Sequence, residues 1–211
     1  MTLRLSFLLA LLLPFSAFAA TPAAPVEGTD YEVIENGAPY EPIAGRIEVA
    51  EVFGYTCPHC AHFEPAVQAW KAKLPKDVTF TPVAAPFGGY WMPYARGFFA
   101  AKALGIADRS HEAVFRALHE DGTLPRNPTD GELAGFYAQF GVPPERFVAT
   151  LNSPGVDAAL ERARAFLERS GVEGTPTLIV AGKYRVIAPQ ADALRVASQL
   201  VARERAARGR R

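Results

Sequence analysis

The apolar positions change period several times along the chain, and each change marks an element. Arg46 to Tyr55 is a dense run carrying Ile47, Val49, Val52 and Phe53. A short, β-branched run of this kind reads as a buried strand. From Ala61 to Leu74 the spacing turns helical, with Phe63, Val67, Trp70 and Leu74 on one face. Pro65 falls inside that run and predicts a kink, or the end of a first short turn. Val78 to Val83 alternates like a strand, and Tyr31 to Ile34 suits a short edge strand. The opening therefore reads strand, helix, strand.

Residues 90–170 are helical in character. Ser110 could cap a helix carrying Val114, Phe115 and Leu118. Thr129 and Glu132 form a capping-box pair ahead of Leu133, Phe136, Tyr137 and Phe140, and Gly141 is the stop. Pro144 suits a first helical position, and Ser153-Pro154 opens a helix that Gly171 ends. Several short helices in succession predict a compact helical subdomain inserted into an α/β unit. Thr177 to Val180 then reads as a strand, Ala181-Gly182 as a turn, and Lys183 to Ile187 as its hairpin partner. Gln190 to about Arg203 is a final amphipathic helix, and the arginines from Arg203 to Arg211 read as a solvated, frayed end.

The first nineteen residues stand apart. Arg4 supplies a positive start, Leu5 to Leu13 is almost unbroken apolar sequence, and Ala17-Phe18-Ala19 fits a small-x-small cleavage rule. The run is short of the roughly 20 apolar residues that span a bilayer. Residues 1–19 are therefore predicted to be a secretory signal peptide, followed by a flexible segment over 20–29. Composition adds one exclusion. With 22 basic and 22 acidic side chains the net charge is zero. Nucleic acid is then not expected as a partner, because phosphate binding needs a basic excess.

The chain has 2 cysteines, both in Cys57-Pro58-His59-Cys60. An exported protein meets an oxidising environment, where cysteines usually staple the fold. A bridge across so small a loop removes little chain entropy. Chemistry explains the pair better than stability does. Cys57 lies where the predicted strand meets the predicted helix. There it faces unpaired N–H groups and the positive end of the helix dipole, both of which favour thiolate. His59 can be cationic or donate to sulfur, and Pro58 fixes the first turn. Stabilising the thiolate stabilises the reduced form, so the Cys57–Cys60 disulfide becomes oxidising. A zinc site is the competing reading. It is disfavoured because there is no second Cys-x-x-Cys and His62 is too near Cys60 to complete a tetrahedron easily.

The sequence around this pair resembles the DsbA family of periplasmic disulfide oxidases. The resemblance is carried by Cys57-Pro58-His59-Cys60, Glu51-Val52-Phe53, Phe63-Glu64, Lys73-Leu74-Pro75, Ala103-Leu104-Gly105, Gly174-Thr175-Pro176 and Gly182-Lys183-Tyr184. It implies an α/β fold: a thioredoxin domain over 30–88 and 171–205, an inserted helical subdomain over 89–170, and a basic tail over 206–211. It also implies a cis bond before Pro176. Gly174, Thr175 and Pro176 would then pair with extended substrate backbone as an added strand does. Glu51 matches the acidic residue beneath the family's active site, where it could accept or relay a proton from Cys60. Glu64 reads as an exposed charge of weak influence, and His62, His111 and His119 as surface or packing residues.

The resemblance further implies a monomer acting in the periplasm on reduced exported proteins. A membrane, quinone-linked DsbB-like partner would recycle it, and no bound cofactor or metal is expected. One departure is Thr175, where some DsbA members carry Val and bacterial disulfide isomerases often carry Thr. An isomerase or reductase of the same fold therefore stays open as the alternative, and a metal-binding or chaperone-like protein is the rival from another class.

Overall fold

The computed structural model describes residues 23–209. The predicted signal peptide, Arg210 and Arg211 lie outside them. Five strands form one sheet in the order β1-β5-β4-β2-β3. They are β1 (Tyr31–Val33), β2 (Ile47–Phe53), β3 (Val78–Ala84), β4 (Thr177–Val180) and β5 (Tyr184–Val186). β2 and β3 run parallel, which needs a crossover, and α1 (Pro58–Lys71) supplies it. The β4–β5 hairpin turns at Ala181 and Gly182, both with positive φ (55° and 66°), as a tight two-residue turn requires. A Cβ on Gly182 would also stand 2.1 Å from the Ala38 carbonyl carbon.

Every residue of β2 is buried, so the strand is covered on both faces. On one, Ile47 and Val49 pack with Phe63 and Val67 of α1 and with Val196 and Leu200 of α7 (Gln190–Arg208). On the other, Ala50 and Val52 meet the helices between β3 and β4. These are α2 (Met92–Ala103), α3 (Ala107–His119), α4 (Asp130–Tyr137), α5 (Pro144–Leu151) and α6 (Pro154–Arg169). Each fully buried Val or Leu contributes roughly 1.5–3 kcal/mol. Tyr137 and Phe147 stack at 4.4 Å and join α4 to α5. The arrangement is a thioredoxin fold with an inserted helical region.

β3 is an edge strand. Its odd-numbered positions bond inward: Ile47 N donates to Asp77 O at 2.8 Å and Ala85 N to Phe53 O at 2.8 Å. Pro82, opposite Glu51 in the register, therefore turns its nitrogen toward the open edge.

Several expectations are corrected. Pro65 does not end or divide α1, which is unbroken from Pro58 to Lys71; its ring lies on the exposed side. Ser110 is no cap. It is buried inside α3, where its hydroxyl donates to Ile106 O at 2.9 Å, and the helix starts at Ala107. The final helix reaches Arg208, and its arginines are tied down. Arg203 bonds the Tyr31 hydroxyl, Arg205 pairs with Asp77, and Arg208 donates to Arg46 O at 2.9 Å. The N-terminal segment is engaged too, with Gln199 of α7 donating to Ala23 O at 2.9 Å. Thr129 and Glu132 do form the reciprocal capping box, and Ser153 caps α6 through Val156 N.

Candidate active site

β2 delivers the chain to the site through Gly54-Tyr55-Thr56. Gly54 is required there: a Cβ would lie 2.0 Å from the Trp91 ring. Cys57 N donates to Gly54 O at 3.0 Å, closing the turn. Cys57 is then the N-cap of α1 with extended backbone, and Pro58 follows at the first helical position. Its Sγ accepts the Cys60 N–H at 3.4 Å, the role a capping Asp or Ser oxygen usually plays. Both cysteines are free thiols and buried, Cys57 at 6% exposure and Cys60 at 1%.

Their environments push them apart. The Cys57 pKa is lowered to about 5, first by the Cys60 thiol donating to it. Burial opposes this, while the Thr175 side chain and the N–H groups of Cys60 and His59 add to it. Cys60 is pushed far up, because it keeps the shared hydrogen and because it is buried. Thiolate charge therefore sits on the sulfur nearer the surface.

His59 acts on Cys57 through its main-chain N–H; its imidazole is exposed, and its carbonyl accepts from Gln190 Nε2 at 2.9 Å. The Thr175–Pro176 bond is cis. Thr175 O lies 3.5 Å from Cys57 Sγ, within reach of its S–H when the thiol is protonated, and Gly174 O takes the Thr177 hydroxyl at 2.8 Å. A groove beside the sulfur is lined by His59, Phe63, Thr175, Pro176, Leu178 and Gln190.

Beneath the cysteines, Glu51 of β2 is 2% exposed and its Oε2 has no protein partner. Burial pushes its carboxyl up to about 8; the charges of Glu64 and Cys57 add to this, and Lys71 opposes it. Glu64 is not the exposed charge its sequence position suggested. It is buried, accepts from Gln68 Nε2 at 2.6 Å, and faces His111 Nε2 at 3.5 Å. His111 and His119 are likewise more than packing. His111 Nδ1 meets the Tyr55 hydroxyl at 2.8 Å, and His119 Nε2 meets Tyr55 O at 2.6 Å. Two histidines two turns apart on α3 thus grip both ends of the residue that precedes Thr56-Cys57. His62 is exposed. Among the described residues no group of three or more His, Cys, Asp or Glu could hold a metal.

Comparison with known proteins decides the family. A DSBA-like thioredoxin domain profile matches residues 91–201. The thiol:disulfide interchange protein DsbA of Azotobacter vinelandii is 38% identical over 167 residues, 77% of each chain. The chain belongs to the DsbA family. The crystal structure of the oxidoreductase DsbA from Xylella fastidiosa superposes with a TM-score of 0.85 at 52% identity, covering 87% of this chain and 100% of that one. Pseudomonas aeruginosa DsbA gives a TM-score of 0.78 at 36% identity, covering 86% and 95%. As a DsbA-family chain it is a thiol:disulfide oxidoreductase, and Cys57–Cys60 is the pair available for exchange.

Proposed function

We propose that this DsbA-family oxidoreductase works as an oxidase on reduced, newly exported proteins in the periplasm, as a monomer. A membrane, quinone-linked DsbB-like partner would recharge it. The observation that supports this direction most is the split between the two sulfurs, one held electron-rich at a helix start and the other held protonated beneath it. A stable thiolate on Cys57 stabilises the dithiol and makes the disulfide oxidising. The domain reading is kept with it: a thioredoxin unit over 30–88 and 171–205, and a helical insertion over 89–170.

In the first step a substrate thiolate attacks Cys57 Sγ. The Cys57–Cys60 bond breaks, and Cys60 leaves with the electron pair. Because Cys60 is a poor thiolate, it takes a proton, and Glu51, still protonated near neutrality, is the donor. A second substrate thiolate then attacks the substrate sulfur of the mixed disulfide and expels the Cys57 thiolate. The substrate leaves oxidised by two electrons, and the protein holds a Cys57 thiolate and a Cys60 thiol. In recharging, Glu51 takes the proton back. Extended substrate backbone pairs with Gly174-Thr175-Pro176 through main-chain hydrogen bonds, which accept unrelated sequences. Pro58 and the His59 N–H hold the first turn about the sulfur.

The test uses single-cysteine variants in an assay of reduced-substrate oxidation. Cys57→Ser is expected to abolish activity, and Cys60→Ser to accumulate substrate disulfide-linked to Cys57. Absence of those adducts, or a reduction potential near that of thioredoxin, would reject the oxidase in favour of a reductase or isomerase.

A further inference from the structure

The polar cluster under the active site contains a histidine that the exchange steps do not use. His111 is 6% exposed, and aromatic rings wall it: Phe53, Tyr55 and Phe115 lie with centroids 4.8–5.2 Å away. A buried imidazole needs partners for both nitrogens. Nδ1 has the Tyr55 hydroxyl at 2.8 Å, and Nε2 has Glu64 Oε2 at 3.5 Å. The roles at Nδ1 follow the tautomer: when Tyr55 O–H donates there, the neutral ring carries its hydrogen on Nε2 facing the carboxylate, and a protonated ring donates from both nitrogens.

The charged and titratable neighbours come from every element packed against the ring. Glu64, Gln68 and Lys71 come from α1, Glu51 from β2, and Tyr137 of α4 stands against Tyr55 and Ser110. Ser110, Asp108 and His119 come from α3 itself, with Asp108 paired to Lys71 at 3.5 Å toward solvent. In this group His111 is the only buried side chain able to supply a donor or positive charge to Glu64; Gln68 is partly buried and Lys71 more exposed.

We propose that His111 is a positioning residue for the exchange reaction: fixed by Tyr55, it holds Glu64 as an anion beneath the site, and that anion keeps the proton on Glu51. The proposal rests on Glu51 as the proton donor to Cys60. Two observations agree with it. Burial alone would raise the Glu64 carboxyl, but contact with His111, helped by Gln68 and Lys71, holds it below its ordinary value. The Glu64 charge in turn helps to hold Glu51 up. A donor acting through two others in this way orients and charges the site without touching the reacting sulfurs.

The test is His111→Gln in the full oxidised protein, with two readouts. The first is a carboxyl-carbon NMR titration of Glu64. Its midpoint is expected to rise by about one pH unit or more; an unmoved midpoint overturns the proposal, whatever Glu51 does. The second is the pH profile of mixed-disulfide formation with a reduced cysteine peptide. Its basic limb is expected to move to lower pH in His111→Gln and in Glu64→Gln relative to the parent, with no further movement in the double variant. Full additivity in the double variant would overturn the route through Glu64. A limb that persists in Glu51→Gln would remove Glu51 as donor, and the NMR titration would still judge His111. If His111→Gln fails to fold, Tyr55→Phe keeps the ring and removes the fixing hydroxyl. It is expected to move the Glu64 midpoint in the same direction, and no movement there overturns the proposal.

Discussion

β2 carries two buried carboxylates three residues apart, and the strand sends them to opposite faces. Glu48, at 4% exposure, accepts the backbone N–H groups of Tyr40 at 2.6 Å and Glu41 at 2.8 Å. Glu51, at 2% exposure, has one oxygen without a protein partner and two like charges acting on it. The first is the arrangement that makes a buried carboxylate a structural clamp: charge-assisted bonds to a loop that would otherwise leave donors unmet. The second is tolerated at a stability cost, and what it gains is a proton held near the pH at which thiols exchange. Burial alone does not say what a carboxylate does; its partners do.

The comparison breaks if the two residues respond alike to substitution. Glu48→Ala is expected to give the largest effect, a loss of about 3 kcal/mol in denaturant unfolding, because two donors lose a charged acceptor. Oxidase activity per folded molecule should be unchanged.

For Glu51→Gln the expected sign is the reverse, a gain in stability, together with slower mixed-disulfide formation. The gain depends on pH. The Glu51 pKa is raised from 4.5 to about 8. Between those values the folded protein therefore binds more protons than the unfolded chain, and stability falls as pH rises. In the oxidised parent, where Cys57 carries no charge, burial and the Glu64 charge still give a fall in stability as pH rises, and Glu51→Gln should abolish it. In the reduced protein Cys57 works the other way. Its pKa is lowered from 9.0 to about 5, so the unfolded chain binds the extra proton and stability rises over that range. The two slopes oppose each other in the reduced parent, and reduced Glu51→Gln should show the rise alone. Thermal melts of both redox forms from pH 5 to 9 check this.

The smallest effect sharpens the electrostatics at the surface end of the site. The Thr175 side chain stabilises the Cys57 thiolate second to Cys60 and ahead of the main-chain N–H groups. Thr175→Val should raise the midpoint of Cys57 thiolate absorbance by about half a pH unit, making the disulfide less oxidising.

Much of this was legible in the sequence, for physical reasons that can be named. The strand–cysteine–helix junction was visible because β2 is buried on both faces and α1 on one, so their periods differ. The capping box at Thr129 was visible because it is a local device. Ser110 misled because a serine before an apolar run resembles a cap, whereas here it bonds back to the previous turn. Glu64 and His111 were underrated, though a signal existed. Glu64 is four residues after Cys60 and three before Val67, on the buried stripe of α1. His111 precedes Val114 and Phe115 on the buried stripe of α3 in the same way. A polar residue at an apolar position of a helix needs a partner, but periodicity cannot say which distant element provides it. The pairing of α1 with α3 is a tertiary fact. The C-terminal arginines show the same limit, since Asp77 and the Arg46 carbonyl are more than a hundred residues away.

The proline on β3 has a consequence for any extended, unfolded chain that meets the sheet. Every such chain is a candidate strand, and an open sheet edge would bind it without chemistry. Pro82 withholds a main-chain donor from that edge at the level of Glu51. Under the proposed function, extended substrate would thereby be discouraged from settling along the far side of the sheet.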